Sequence, residues 1–181
     1  MPGKIVTKKE IVSVKRNEKN EFIYNKDEDI VKISVVERHQ NTGNVASALI
    51  KGYGIKEGAI AISIAHDSHN IIVVGVNDED MAFAVQELIK QGGGIVLVKD
   101  KNILENMPMP IGGIMTNKSG EWVDEKLNSI HKVAHEVLKV NEHIEPIMTL
   151  CFMSLPVIPE LKITDMGLFD VTQFKFIPHE V

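Results

Sequence analysis

The sequence predicts one α/β or α+β domain built around a mixed β-sheet, and three features in the middle of the chain support this prediction. Two β-branched runs, GAIAISIA (58–65) and NIIVVGV (70–76), are too apolar for solvated strands and are typical of central ones. A helical pattern follows at 77–92, and GIVLV (94–98) predicts a further strand. Together they predict a β-α-β unit at about 60–98, with a right-handed crossover.

The segments before this unit are predicted to contain strands and one short helix. IVKISVVE (30–37) combines alternation with β-branched residues, which predicts a strand. NVASALIKGYG (44–54) predicts a short helix closed by Gly52 or Gly54. The basic segment KKEIVSVKR (8–16) is interrupted by apolar residues, which favours a solvated strand edge.

The helix at 77–92 has the clearest boundaries in the chain. Asn77 can cap it, and the acidic residues 78–80 place negative charge where the helix dipole favours it. Gly92 supplies the terminating glycine. One apolar face is expected from the helical spacing of Met81, Val85, Leu88 and Ile89.

The C-terminal half is predicted to hold a second long helix at about 121–140. Its apolar stripe consists of Val123, Leu127, Ile130, Ala134 and Val137. A loop rich in Pro, Gly and Met (105–120) precedes it, and PIMTLCFMSL (146–155) is compatible with helix or strand. The tail alternates weakly, with a turn expected at Asp165-Met166-Gly167.

Composition limits the classes of function. A length of 181 residues suits a single domain, and a net charge of −5 argues against nucleic acid or an anionic membrane as partner. The first residues are charged and resemble no signal peptide, so we expect a cytoplasmic protein. The lone Cys151 lies in an apolar run, which predicts a buried, unreactive thiol.

Several short motifs fail the requirements of the chemistry they suggest. GYGIKEG (52–58) has the wrong glycine spacing for dinucleotide binding. HKVAH places His131 and His135 one turn apart, but Lys132 stands where a zinc protease needs Glu. Zinc nucleobase deaminases use a pair of cysteines, and this chain has one. The methionines of the 105–120 loop are expected to fill packing gaps rather than line a ligand pocket.

The segment AHDSHN (65–70) is the strongest candidate for chemistry. Its two histidines can converge in a turn, and Asp67 could orient an imidazole. The alternative is a polar turn whose side chains bond the backbone. A second polar cluster, ERHQNTGN (37–44), also follows a β-rich run, but the sequence alone cannot bring the two clusters together.

Several long segments of the sequence resemble a known family. The block from VVERHQNTGN through GGGIVLV (35–98), together with MPIGGIMT (109–116) and PIMTLCFMSLPVIPELKITDMGLFDV (146–171), closely resembles the C-terminal domain of adenine deaminases. These are metal-dependent hydrolases of the amidohydrolase superfamily. The resemblance covers essentially the whole chain.

The resemblance implies hydrolysis of adenine to hypoxanthine and ammonia in purine salvage. The family's divalent metal (Mn, Fe or Zn) is held by a separate N-terminal (β/α)8 barrel with a His-x-His pair, which this chain does not contain. We therefore expect no cofactor in this chain, a barrel domain or barrel chain as partner, and a homo-oligomer. The chain would be an excised domain, a truncated product or a separately encoded half, and alone it is expected to bind no catalytic metal and release no ammonia.

Three functions follow from the resemblance, with candidate residues for the first. The domain could complete a deaminase active site, act as a structural element in assembly, or bind purines as an independent regulatory module. The first function has catalytic and substrate-binding candidates. They are His66, Asp67 and His69 for a shared catalytic site, and Asn70, Glu37, Arg38 and His39 for substrate binding.

Overall fold

The computed structural model describes residues 5–179, which form two β-sheets and three helices. The elements in chain order are β1 (Ile30–Val36), β2 (Val45–Lys51), β3 (Ala59–Ile62), β4 (Ile71–Gly75), α1 (Asp78–Lys90), β5 (Gly94–Lys99), β6 (Asn102–Pro108), α2 (Gly120–Glu136), α3 (Pro146–Cys151), β7 (Leu161–Thr164), β8 (Gly167–Asp170) and β9 (Lys175–Ile177). The large sheet has the order β2-β1-β4-β3-β5-β6, and the small sheet has the order β7-β8-β9.

The predicted fold class is confirmed, with one difference in how the sheet is built. β4, α1 and β5 form the expected β-α-β unit, but β3 lies between the two strands and is antiparallel to both. β4 and β5 therefore run in the same direction without pairing. Every neighbouring pair of described strands is antiparallel, so the parallel pairing that a mixed sheet would contain is absent.

The central strands are buried on both faces because helices cover both sides of the large sheet. On one side α1 packs Met81, Ala84 and Leu88 against small and β-branched strand residues. On the other side α2 and α3 contribute Ile130 and Leu150 to a larger cluster. This two-sided burial explains the continuous apolar runs of β3, β4 and β5.

Two predictions for the first fifty residues are wrong. Within 44–54, residues Val45–Lys51 form strand β2 rather than a helix, because they pair along their whole length with β1. This pairing contributes more than local helix propensity. The segment 8–16 is not a strand edge: within the described chain it makes one isolated β-bridge, from Arg16 to Phe22.

The helix and turn predictions are confirmed with small shifts. Asn77 caps α1 by accepting a hydrogen bond from the N–H of Asp80 (2.7 Å), and Ile89 is 59% exposed rather than part of the buried face. The segment that was compatible with helix or strand begins with helix α3. The turn at Asp165-Met166-Gly167 joins β7 to β8. Within residues 5–179, no helix has the length and hydrophobicity needed to cross a membrane.

Candidate functional site

The antiparallel pairing of β1 with β4 brings the two polar clusters together. Val36 at the end of β1 pairs with Ile71 at the start of β4, so the chain after Val36 lies beside the turn that precedes Ile71. The Nε–H of Arg38 donates to the carbonyl oxygen of His69 (2.6 Å), and the Nε2–H of His39 donates to that of Ser68 (2.6 Å). The two clusters, far apart in sequence, form one surface at this end of the sheet.

Asn70 is a buried connector within this surface. Its Oδ1 accepts from the backbone N–H of Arg38 (3.3 Å), and its Nδ2 donates to Oδ1 of Asp165 (3.1 Å). The side chain is 5% exposed. Asn70 thus connects the end of β1 to the β7–β8 turn, and both atoms of its amide already have partners within the domain.

Glu37 bonds the backbone of its own loop. Its carboxylate accepts the backbone N–H groups of His39, Gln40 (2.7 Å) and Thr42 (3.0 Å), together with the Thr42 hydroxyl (3.1 Å). These bonds, with the backbone bond from Thr42 the largest contribution, lower the pKa of the Glu37 carboxyl to about 2. Glu37 is therefore an ionised group that holds the 37–44 loop in shape.

His69 is constrained at both its ring and its backbone. Its Nδ1 accepts from the N–H of Ala65 (3.3 Å), and its backbone has a positive φ of 51°. Burial lowers the pKa of His69, and the neighbouring His66 and Arg38 lower it further. With Nδ1 accepting, a neutral ring carries its proton on Nε2.

His66 packs against the end of α3. Its ring centroid lies 4.8 Å from that of Phe152 and 6.2 Å from that of His69. The main chain of His66 is held on both sides, because its N–H donates to the Cys151 carbonyl (3.0 Å) and its carbonyl accepts from the Ser154 hydroxyl (3.3 Å). Asp67 and Ser68 at the tip of the turn are exposed.

Three neighbours of this site were not singled out by sequence reasoning. The Nη2–H of Arg38 donates to the carbonyl of Gly112 (3.0 Å), which brings the Met-rich loop to the turn. Phe152 packs against the ring of His66, and Asp165 accepts a hydrogen bond from the side chain of Asn70. The one available signal was that all three lie inside the segments that carry the family resemblance.

The other candidate motifs have structural explanations. His131 Nε2 lies 2.6 Å from Oε1 of Glu145, whereas His135 Nδ1 lies 3.2 Å from the Val140 carbonyl oxygen, so the two rings have different partners. Burial raises the pKa of the Cys151 thiol to about 12, which keeps it protonated and unreactive. The methionines at 107 and 109 are buried as gap-fillers, whereas Met115 is 55% exposed.

The family resemblance places the metal in the N-terminal barrel, and the described residues of this chain do not form a site that fits it. Within residues 5–179, no three or more His, Cys, Asp or Glu side chains are grouped so that they could hold a metal ion. The turn brings two imidazoles and one carboxylate near each other without forming such a group.

The fold and the site define an α+β domain that presents a histidine-bearing turn at one end of its main sheet. The chain belongs to the adenine deaminase C-terminal domain family, whose sequence model matches residues 4–175.

Three curated relatives support the same family. Adenine deaminase 2 of Desulfotalea psychrophila is 67% identical over 180 residues, which cover 99% of this chain and 31% of that protein. Adenine deaminase of Ligilactobacillus salivarius is 51% identical over 181 residues, covering 100% of this chain and 31% of the relative. Adenine deaminase 2 of Carboxydothermus hydrogenoformans is 47% identical over 178 residues, covering 98% and 31% respectively. The chain therefore spans about a third of the length of these relatives.

Proposed function

We propose that this domain completes the active site of an adenine deaminase and that its 65–70 turn supplies His66, Asp67 and His69 to that site. The observation that carries the proposal is the meeting of the two polar clusters, fixed by the 2.6 Å bond from Arg38 to the His69 carbonyl. The surrounding bonds hold the backbone of the turn, and Asp67 at its tip is exposed. Family membership supports adenine as the substrate class.

The chemistry of the reaction suits a neutral imidazole. Hydrolytic deamination removes a proton from the attacking water and delivers a proton to the departing amino group. His69, with a lowered pKa and its proton on Nε2, can donate a hydrogen bond to a purine ring nitrogen. His66, whose ring centroid lies 6.2 Å away, places a second imidazole beside the first.

Glu37 and Asn70, which the sequence suggested as substrate ligands, are assigned a supporting role instead. Their polar atoms are already bonded to the 37–44 loop, to Arg38 and to Asp165. The Nε2–H of His39 likewise already donates a hydrogen bond to the Ser68 carbonyl oxygen. Their contribution is to hold the turn in place, and the substrate contacts fall to the histidines and Asp67.

A chimera provides the test, with this chain replacing the matched 180-residue segment of the Desulfotalea psychrophila protein. We expect His69→Ala to lower kcat for ammonia release by about 10²-fold or more, the range for loss of a general acid or base. His143→Ala is the matched control, because its side chain is 77% exposed and lies outside the site. Unchanged kcat in both His69→Ala and His66→Ala would remove the turn from the mechanism.

Exposed apolar side chains beside the turn favour a second role in assembly. Ile111 and Met115 extend from the Gly112 loop, and Met166 lies at the β7–β8 turn; they are 46%, 55% and 71% exposed. Such side chains clustered at one end of a domain are typical of a contact surface. Met115→Glu with Met166→Glu should weaken association with the barrel in sedimentation, whereas Ile103→Glu at the far end of β6 should not. Equal association of all variants would argue against this contact.

The biological setting forms part of the proposal. Purine salvage in the cytoplasm, a divalent metal held by the barrel and a homo-oligomeric enzyme follow from the family resemblance. The alternative of an independent purine-binding module predicts heat of binding when adenine is titrated into the isolated chain. A flat titration at millimolar adenine would eliminate that alternative.

A further inference from the structure

Arg38 joins the 65–70 turn to the Gly112 loop through its hydrogen bonds. Its guanidinium donates through Nε to the His69 carbonyl (2.6 Å) and through Nη2 to the Gly112 carbonyl (3.0 Å). Its backbone N–H donates to Asn70 (3.3 Å). Within residues 5–179, no carboxylate forms an ion pair with Arg38. The side chain is therefore committed to holding two loops by their carbonyl oxygens.

The Gly112–Gly113 loop packs directly on this guanidinium. A Cβ atom at Gly113 would lie 2.2 Å from Nη1 of Arg38, and Gly113 has a φ of 78°. On its other side the carbonyl of Gly113 accepts from the buried Ser63 hydroxyl (2.5 Å), whose oxygen also accepts from the N–H of Gly94 (2.7 Å). The loop is thus held between the sheet and Arg38, and a side chain at 113 would have to displace the guanidinium.

His69 is held at its ring and at its carbonyl. The N–H of Ala65 fixes Nδ1, and Arg38 fixes the carbonyl oxygen. We propose that Arg38 is a positioning residue that joins His69 to the Gly112–Gly113 loop, so that the His69 ring is presented in one orientation and one tautomer. This inference rests on the proposed function for its catalytic consequence, but the positioning itself concerns this chain alone.

The geometry requires the planar fork of arginine. Two carbonyl oxygens on different loops are bonded by two nitrogens of one rigid group, which a lysine ammonium on a flexible stem does not reproduce. Arg38→Lys therefore keeps the positive charge and loses the simultaneous bonds. Arg38→Met removes both, and Gly113→Ala should displace the guanidinium by steric contact.

The His69 ring gives a direct readout in the 181-residue chain. Long-range ¹H–¹⁵N spectra recorded across pH report its tautomer and its pKa. The charged and titratable groups that act on this ring are His66, Arg38, Asp67 and His39. We expect Arg38→Met to raise the pKa of His69 toward its ordinary value and to mix the tautomers. Arg38→Lys should mix the tautomers with a smaller pKa change.

Arg16→Met is the matched control, because it is the same substitution at the remaining arginine of the chain. Arg16 bonds Asn20 in the N-terminal segment (3.1 Å). The control should leave His69 unchanged. A His69 spectrum that is unaltered in both Arg38→Met and Gly113→Ala overturns the inference. Far-UV circular dichroism establishes whether each variant is folded. If Arg38→Met does not fold, Arg38→Lys takes its place in the test.

Kinetics of the chimera separate this inference from the proposed function. We expect Arg38→Met to lower kcat by about 10²-fold, with KM changed far less, since misplacement of a reacting group costs rate rather than binding. A perturbed His69 spectrum with an undiminished kcat would support the positioning and refute the catalytic use of the turn. An unperturbed spectrum would refute the positioning whatever the kinetics.

Discussion

Glu37 illustrates how one half-buried carboxylate organises the loop beside the turn. It accepts hydrogen bonds from the backbone of three residues within the next five positions of the chain. The ionised carboxylate accepts at both oxygens, whereas protonation would turn one of these acceptors into a donor. The pKa of Glu37, lowered to about 2 from an ordinary 4.5, records that preference.

The pH dependence of stability should therefore include a contribution from Glu37. A carboxyl whose pKa is depressed on folding stabilises the fold above its unfolded pKa, and this contribution is lost as the pH falls from about 4.5 toward 2. Glu37→Gln should lower the urea midpoint at pH 6 and lower it less at pH 3. Glu142→Gln, whose side chain is 85% exposed, is the control. An equal difference at both pH values would contradict this account.

The sequence predicts some of the site residues but not the contacts between them. The histidines and Asp67 stand out in the sequence because five polar positions interrupt two apolar runs. Their meeting with Arg38 depends on the register of β1 against β4, which pairs residues 35 to 43 positions apart. Gly113 could not be assigned a function, because neither its positive φ nor its contact with the Arg38 guanidinium can be read from the sequence.

At the scale of elements, Asp80 joins helix α1 to the β5–β6 turn. Its buried carboxylate accepts the N–H groups of Asp100 (3.1 Å) and Lys101 (2.8 Å), both with positive φ, and the amide of Asn77 (3.2 Å). The first turn of the helix thereby fixes the conformation of a turn some twenty residues away in sequence.

Asp80→Ala should destabilise the domain through these lost bonds. Two N–H groups of the turn lose a charged acceptor, and a hydrogen bond to a charged group contributes about 1.5–3 kcal/mol. Glu79→Ala, at the neighbouring exposed position, should change the unfolding free energy much less. Urea denaturation of both variants provides the comparison, and equal midpoints would show that Asp80 carries no such role.

Lys162 on β7 ties the small sheet to the N-terminal segment. It is 2% exposed, and its Nζ donates to the carbonyl of Ile5 (2.7 Å). Thr7 adds two bonds with Leu161, donating to its carbonyl (2.6 Å) and accepting from its N–H (3.0 Å). Burial lowers the pKa of Lys162 from 10.5 to about 8.

The lowered pKa of Lys162 predicts a rise in stability with pH. Between about 8 and 10.5 the unfolded chain holds this proton and the folded chain does not, so stability increases with pH in that interval. The unfolding free energy of the wild type relative to Lys162→Met should therefore grow from pH 7.5 to pH 10. Lys175→Met on exposed β9 should show no such trend. A constant difference for Lys162→Met would refute the pKa assignment.

The elements themselves were predictable where both local pattern and burial agreed. Helix α1 has its cap, acidic first turn and terminating glycine in the sequence, and these lie where expected. The helix prediction for residues 45–51 was wrong because alanine, leucine and isoleucine suit a helix. In the fold these residues form an edge strand that pairs along its whole length with β1. Local sequence carries no information about that partner.

For the whole molecule, one end of the sheet gathers the candidate functional features. The ends of β1, β3 and β6 and the starts of β4 and β5 all meet there, which places the 37–44 loop, the 65–70 turn and the Gly112 loop together. The chain covers 31% of the length of its relatives. We propose that this end faces the rest of the deaminase.

Complementation of ammonia release is the most direct test of this account. Ammonia release from adenine would be measured with this chain alone, with a matching barrel chain alone, and with both chains together. The metal content of each sample would be determined as well. We predict that full turnover requires both chains and that stoichiometric metal accompanies the barrel chain. Ammonia release by this chain alone, or full turnover by the barrel chain alone, would contradict the claim that the domain completes a shared active site.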